Sequence, residues 1–229
     1  MEALKEALYL NLIKDDRWQY LTEGLKNTLL ITLFATLIGI GLGLLIAIVR
    51  STYDKTGRLK ILSGICKVYL TVIRGTPVVI QLMIFYYCIF TSRIFSGVFV
   101  GIIAFGLNSA AYVAEIFRSG IMSIDEGQME AGRSLGFNYV QTMRYIIMPQ
   151  AFKNVLPALC NEFVVLLKET SVAGYVAVQD LTKGGDIIRS RTYDAWTPLL
   201  IVAAIYLILT MVFSHFAGNV ERSLRKNER

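Results

Sequence analysis

Leu29–Val49 reads LLITLFATLIGIGLGLLIAIV, and the uncharged run around it reaches back to Asn27. A helix needs about 20 largely apolar residues to cross a ~30 Å hydrocarbon core, so 27–49 reads as a transmembrane span. Working outward, 70–91 is the next. Its helix can begin nearer Leu59, because Lys60, Lys67 and Arg74 recur at sevenfold spacing on one face. A third span, 97–117, holds a single acid, Glu115. The fourth, 146–168, is the least regular, with Pro149, Lys153, Pro157, Asn161 and Glu162 inside it, and the last, 195–220, has His215 near its end. The expected fold class is therefore an all-α membrane protein of five transmembrane helices.

Composition agrees. Of 229 residues, 55% are hydrophobic and 17% charged, against roughly 45–50% and about 25% in average soluble domains. Disorder, a collagen-like fibre and a disulfide scaffold are disfavoured. Five acids and four bases crowd residues 1–26, which read as an amphipathic or loose segment beside the membrane and not as a signal peptide. Residues 27–220 form the membrane domain, with an inner loop at 118–145, and 221–229 a tail.

Orientation follows from lysine and arginine. With the N-terminus outside, fourteen bases, including Arg225, Lys226 and Arg229, fall on the inner side and nine on the outer. This places the C-terminus in the cytoplasm and Trp18 and Trp196 at the outer boundary, where aromatic belts form. Bases facing anionic lipid account for the net charge of +6 without nucleic acid. Cys66, Cys88 and Cys160 read as packing residues. One histidine excludes a multi-histidine metal site, and no metal ligands are expected.

The inner loop contains GQMEAGRSLGFNYVQTMRYIIMP. Gln128–Ser134 is predicted as a short helix that Gly136 can end through positive φ, with Asp125 and Glu126 favourable at its start. Met129, Leu135 and Phe137 can face a partner or a membrane surface. Pro149 is placed to open the fourth span.

Glu130-Ala131-Gly132, three residues, Gly136, nine residues, then Ile146-Ile147-Met148-Pro149 resembles the EAA loop of bacterial ABC-importer permeases, with Gly132 replacing the second alanine and Met148 a leucine. Arg74-Gly75-Thr76-Pro77, the run from Gly106 to Glu115 and Leu166–Ser171 are similar to the polar-amino-acid branch, so the likeness covers roughly Thr22 to Val220. It implies a type I importer permease fold in the bacterial cell membrane. It also implies a dimer, two cytoplasmic ATPase subunits and an extracellular solute-binding protein. Glu130, Ala131, Gly132, Gly136, Ile146 and Pro149 would carry coupling to the ATPase. No cofactor is expected in this chain, because ATP and magnesium would sit on the partner. A missing G-x-x-x-x-G-K-[ST] loop independently removes the chain as its own ATP motor, so no enzymatic role is expected. Identical chains or a sister permease could complete the pair, and an intact loop favours identical chains.

Polar groups at mid-membrane are costly and usually face a cavity or one another. Asn108, Tyr112 and Glu115 share one helical face. Asn161 and Glu162 follow Pro157, a residue that frees a backbone carbonyl. The two asparagines can bind substrate or tie helices together, and Glu115 can contact substrate or pair with Arg74. No base is expected beside Glu162, so a cationic guest such as arginine, lysine or histidine is expected there. Gly39-x-x-x-Gly43 reads as close helix packing. An outer helix is predicted over Val178–Arg189, broken at Gly184-Gly185. An ion-coupled secondary transporter and a non-transporting scaffold are the competing functions. The first leaves the 130–149 loop unexplained, and five spans do not divide into equal repeats.

Overall fold

The computed structural model describes residues 2–92 and 94–226, so residues 227–229 of the expected tail lie outside it. Every regular element among them is helical. In order they are α1 (Glu2–Leu8), α2 (Trp18–Thr56), α3 (Lys60–Gly75), α4 (Val78–Ile84), α5 (Gly97–Met122), α6 (Glu126–Ser134), α7 (Tyr139–Thr142), α8 (Met148–Glu169), α9 (Leu181–Thr192) and α10 (Trp196–Lys226). Single π-turns extend α1 and α4 and join α7 to α8, and a 3₁₀ stretch, Thr170–Val176, follows α8.

α2, α5 and α10 are each long and apolar enough to cross a membrane. α3 and α4 with its π-turn pass only as a broken pair. α8 is not among them, because Lys153, Asn154, Asn161 and Glu162 interrupt its apolar run. A five-helix membrane fold is compatible with this set. Three boundaries change. The segment expected to be amphipathic or loose, 1–26, is helical over Glu2–Leu8 and Tyr9–Ile13 and again from Trp18, where it runs directly into the first span. The expected 70–91 span is two helices, because Thr76 and Pro77 are both extended. The outer helix passes unbroken through Gly184 and Gly185. A Cβ on Gly184 would stand 2.4 Å from the Tyr20 carbonyl oxygen, so that glycine serves contact and not a break.

The chain forms two compact units, one from 2–36, 77–106 and 163–213, the other from 37–76, 107–162 and 214–226. In the first, Ile31, Leu82, Phe105, Leu166 and Val176 form one core, and Leu21, Leu181, Ile188 and Val202 a second. Asp180, fully buried, caps α9: its carboxylate accepts from the Thr182 and Lys183 amides. Burial pushes the Asp180 carboxyl up to about 6, against the pull of those hydrogen bonds.

In the second unit the buried stripe of α2 is built from small residues, Gly39, Gly43, Ala47 and Ser51. A Cβ on Gly39 would lie 2.8 Å from Ser109 Oγ, and one on Gly43 2.7 Å from Val113 Cγ1. Large apolar side chains point the other way, with Leu45 at 61% and Leu37 at 56% exposure. Small residues inward and large ones outward is the pattern of a helix in hydrocarbon, where close packing drives association and leucine gains little from burial.

Candidate functional site

The second unit holds a cavity of about 500 Å³ between α5 and α8. Tyr112, Glu115 and Ser119 line it from α5, Ser123 from the turn that follows, and Asn154 and Glu162 from α8. Gly120 lets the helices approach here, since any Cβ would meet Val155. The lining residues from Tyr112 to Gly120 on α5 and from Asn154 to Glu162 on α8 recur every three or four positions, so each set forms one face. Asn154 Nδ2 donates to Ser123 Oγ at 3.1 Å.

Glu162 accepts a hydrogen bond from Ser109 Oγ at 2.9 Å. Sequence reasoning missed Ser109. It sits in a run of small residues, Ser109-Ala110-Ala111, that reads as packing, and it is fully buried. The bare Cα of Gly39 makes room for that hydroxyl, so the small-residue stripe of α2 indirectly positions Glu162. Ser109 thus adds a hydroxyl partner that the sequence reading of this carboxylate did not include.

Glu115 is held differently. Arg118 Nε donates to it at 3.2 Å, and an Arg74 guanidinium nitrogen stands 4.0 Å away. Arg118 reaches Asp54 at 3.8 Å, and the Arg74 guanidinium lies 5.7 Å from the Tyr112 ring centre. Both readings of Glu115 therefore have geometry behind them, since it lines the cavity and is paired. Arg118 is its shorter partner, a contact the sequence spacing left unnoticed. The cavity brings together Tyr112, Glu115 and Glu162 from the expected substrate set. Asn108 is buried away from its lining, and Asn161 is exposed outside it.

The 118–145 loop is ordered by its own caps. Asp125 caps α6, accepting from the Gly127 amide at 2.7 Å. Gly136 takes φ +84°, and the Phe137 amide then returns to the Gly132 carbonyl at 3.1 Å. That is the left-handed stop expected of glycine. Asn138 and Gln141 form a reciprocal capping box on α7, both bonds 2.9 Å. Beneath, Ile121, Ile124, Ile147 and Ala151 form a small core on which Met129 and Ile146 pack. Glu130, Ala131, Gly136 and Pro149 stay on the surface, whereas Gly132 is buried. Met129 thus faces the chain's own core and not the partner or membrane surface expected for it, while Leu135 and Tyr145 are 74% and 61% exposed. The helix is two residues longer at its start than expected, because Asp125 and not Gly127 opens it.

Residues 26–226 match the model of the binding-protein-dependent transport system inner membrane components. The chain belongs to this family. The arginine transport system permease protein ArtQ of Bacillus subtilis is 36% identical over 91% of this chain and 94% of its own. A protein provisionally named glutamine transport system permease GlnP, from Rickettsia typhi, is also 36% identical with the same coverage. The crystal structure of an amino acid ABC transporter with histidines superposes with a TM-score of 0.80 at 42% identity, covering 90% of this chain and 94% of the other. The MetNI methionine ABC transporter, in inward-facing conformations, gives 0.79 at 19% identity over 92% and 98% of the two chains, a likeness of fold. The type I importer permease fold expected from the loop is the fold observed.

In this permease the departure at Gly132 has a local cause. A Cβ there would stand 2.4 Å from Thr142 Cγ2 and 3.0 Å from Ile146 Cδ1. Alanine, which the family pattern prefers, does not fit against this threonine.

Proposed function

We propose that the chain is the permease subunit of an ATP-driven amino-acid importer whose cargo carries a cationic side chain. It works as a pair of identical chains in the bacterial cell membrane. The N-terminus lies outside and the C-terminus in the cytoplasm. An extracellular binding protein supplies the guest, and ATP and magnesium stay on separate ATPase subunits. Family membership and the names of both relatives support the amino-acid class, and the excess of inner bases supports the orientation.

The observation that carries the cationic cargo is Glu162. It lines the cavity and accepts from the buried Ser109 hydroxyl, which fixes a carboxylate in the cavity wall, a group whose charge favours a guanidinium, ammonium or imidazolium. Tyr112 lends an aromatic face to the same cavity, whereas Asn108 and Asn161 lie outside its lining and take no part in this reading. Glu115, engaged by Arg118 and Arg74, contributes less field. Coupling runs through α6: its exposed Glu130 and Ala131, with Leu135 and Tyr145 beside them, form the surface an ATPase cleft would hold, while Gly132 and Ile146 pin the helix to α8. Movement of α6 then moves α5 and α8 around the guest, which is alternating access by rigid elements.

The test is ATP-driven uptake into proteoliposomes holding the full transporter and its binding protein. A charge-assisted hydrogen bond contributes about 1.5–3 kcal/mol, so Glu162→Gln is expected to slow arginine uptake at least tenfold and to leave glutamine within about twofold. An unchanged arginine-to-glutamine ratio overturns the assignment.

A further inference from the structure

α3 presents three different faces. Ser63, Cys66 and Leu70 are buried, with Leu70 against Ala111 and Ala114. Ile61, Ile65, Val68 and Val72 form a second face, exposed by 83%, 61%, 64% and 54%. Lys60, Lys67 and Arg74 run down the third, with Gly64 and Thr71 between them, all exposed. Seven residues fall about 20° short of two full turns, so the bases form one nearly straight stripe. Fourteen residues at ~1.5 Å make it about 21 Å long.

Such a stripe does not suit hydrocarbon, where a cation at depth is costly and turns to water or a counter-charge. The apolar face is the one fitted to lipid or an apolar partner. Arg74 fixes what the basic face meets: it lies against Tyr112 and Glu115, both of which line the cavity. Glu115 also holds Arg118, and Arg118 also approaches Asp54, so the charges of that group balance. Among the described residues, no acid lies within ion-pair distance of Lys60 or Lys67. Two positive charges therefore continue the line from the cavity's edge to the start of α3.

We propose that Lys60, Lys67 and Arg74 form an anion track that takes the carboxylate of the transported amino acid as it leaves the cavity. The ammonium end of a zwitterion is drawn to acids, and its carboxylate needs a basic surface along the same route. Arg74 meets it first, beside Tyr112, and Lys67 and Lys60 follow at steps of about 10 Å. The track rests on the proposed amino-acid cargo but not on the charge of its side chain. It therefore acts on every amino acid carried, whereas Glu162 selects among them.

The reconstituted transporter tests this in two ways. Single cysteines replace Lys67, Arg74, Ile65 or Val68 in a chain carrying Cys66→Ala, Cys88→Ser and Cys160→Ala. They are exposed to a membrane-impermeant anionic methanethiosulfonate from the side of α6. Lys67→Cys and Arg74→Cys are expected to react, more slowly with saturating arginine, and Ile65→Cys and Val68→Cys to remain unmodified. In the chain with native cysteines, Lys67→Gln is expected to lower uptake of arginine and glutamine alike by about threefold, the scale of one exposed ion pair. Lys67→Glu lowers both by about tenfold, and Lys67→Arg restores them. An unreactive Lys67→Cys, a reactive one that substrate does not protect, or full uptake by Lys67→Gln overturns the proposal. A Lys67→Gln defect seen only in anionic-lipid vesicles and absent in neutral ones also overturns it, in favour of a lipid headgroup. Loss of arginine selectivity in Glu162→Gln with the Lys67 effects unchanged separates the two readings, as does the converse.

Discussion

Ser109 shows how one small side chain can decide the chemistry of a membrane site. Its hydroxyl is fully buried, donates to Glu162 and has its place only because Gly39 on α2 has no Cβ. Removing it leaves a carboxylate oxygen without that donor, while the volume change is one atom. Ser109→Ala is therefore expected to keep the fold, with a melting temperature in detergent within a few degrees of the parent. Arginine uptake should fall by about tenfold or more, since a hydrogen bond to a charged group contributes about 1.5–3 kcal/mol. Gly39→Ala should produce a similar loss of uptake by displacing the hydroxyl, but with lower stability, since close-packed positions tolerate added atoms poorly. Equal uptake in parent and Ser109→Ala would separate the hydroxyl from function. The sequence carried half of this. An acid in an apolar helix is conspicuous, so Glu162 stood out. A serine among alanines looks like packing, and its partner lies 53 positions away, beyond what spacing on one helix can reveal.

At the scale of elements, the helices whose ends are written locally were the legible ones. α6 is within two residues of expectation, because Asp125 is a strong start signal and Gly136 a strong stop. The break between α3 and α4 and the continuity of α9 were not legible. Pro77 can open a helix or interrupt one, and Gly184 can end a helix or let it touch a neighbour, so tertiary contact decides. Gly132 is the same problem in a functional loop. Its Cβ-sized gap is filled by Thr142 Cγ2, a methyl of a side chain that also donates to the Asn138 carbonyl. Gly132→Ala gains helix propensity, up to about 1 kcal/mol, but the clash costs about 1–3 kcal/mol. The net expectation is a less stable loop and a several-fold loss of substrate-stimulated ATPase rate. Thr142→Ser removes the methyl, the nearest atom, and keeps the hydroxyl, which stands 2.8 Å from the added Cβ, so the double variant should recover part of that loss. Additive effects in the cycle would show that these two positions are not coupled.

At the scale of the molecule, the sequence-level surplus of apolar residues becomes a surface. Only 6% of the most apolar window of α10 is buried. Stability therefore leans on a modest set of packed residues and on buried polar anchors such as Asp180, which caps α9 beside the Leu181 amide that donates to the Thr28 hydroxyl of α2. That anchor has a pH signature. Burial raises the Asp180 carboxyl from 3.8 to about 6, so between those values the folded chain holds a proton that the unfolded chain has lost. Stability must then fall as pH rises through the window and level off above it, by up to about 3 kcal/mol. Asp186, hydrogen-bonded by Lys183 and Arg189, and Asp194, hydrogen-bonded by Thr197, are held below the ordinary carboxylate range. Their contributions are present above that range and are lost only as pH falls through their lowered values, outside the window. Asp180→Asn keeps a capping oxygen, since asparagine ranks with aspartate at helix N-caps, but cannot ionise. Thermal melts in detergent at pH 4.5 and 7.5 should show the parent less stable at the higher pH, with the difference shrinking in Asp180→Asn. A parent that melts higher at pH 7.5, or a variant with the parent's slope, would place the pH dependence elsewhere in the chain.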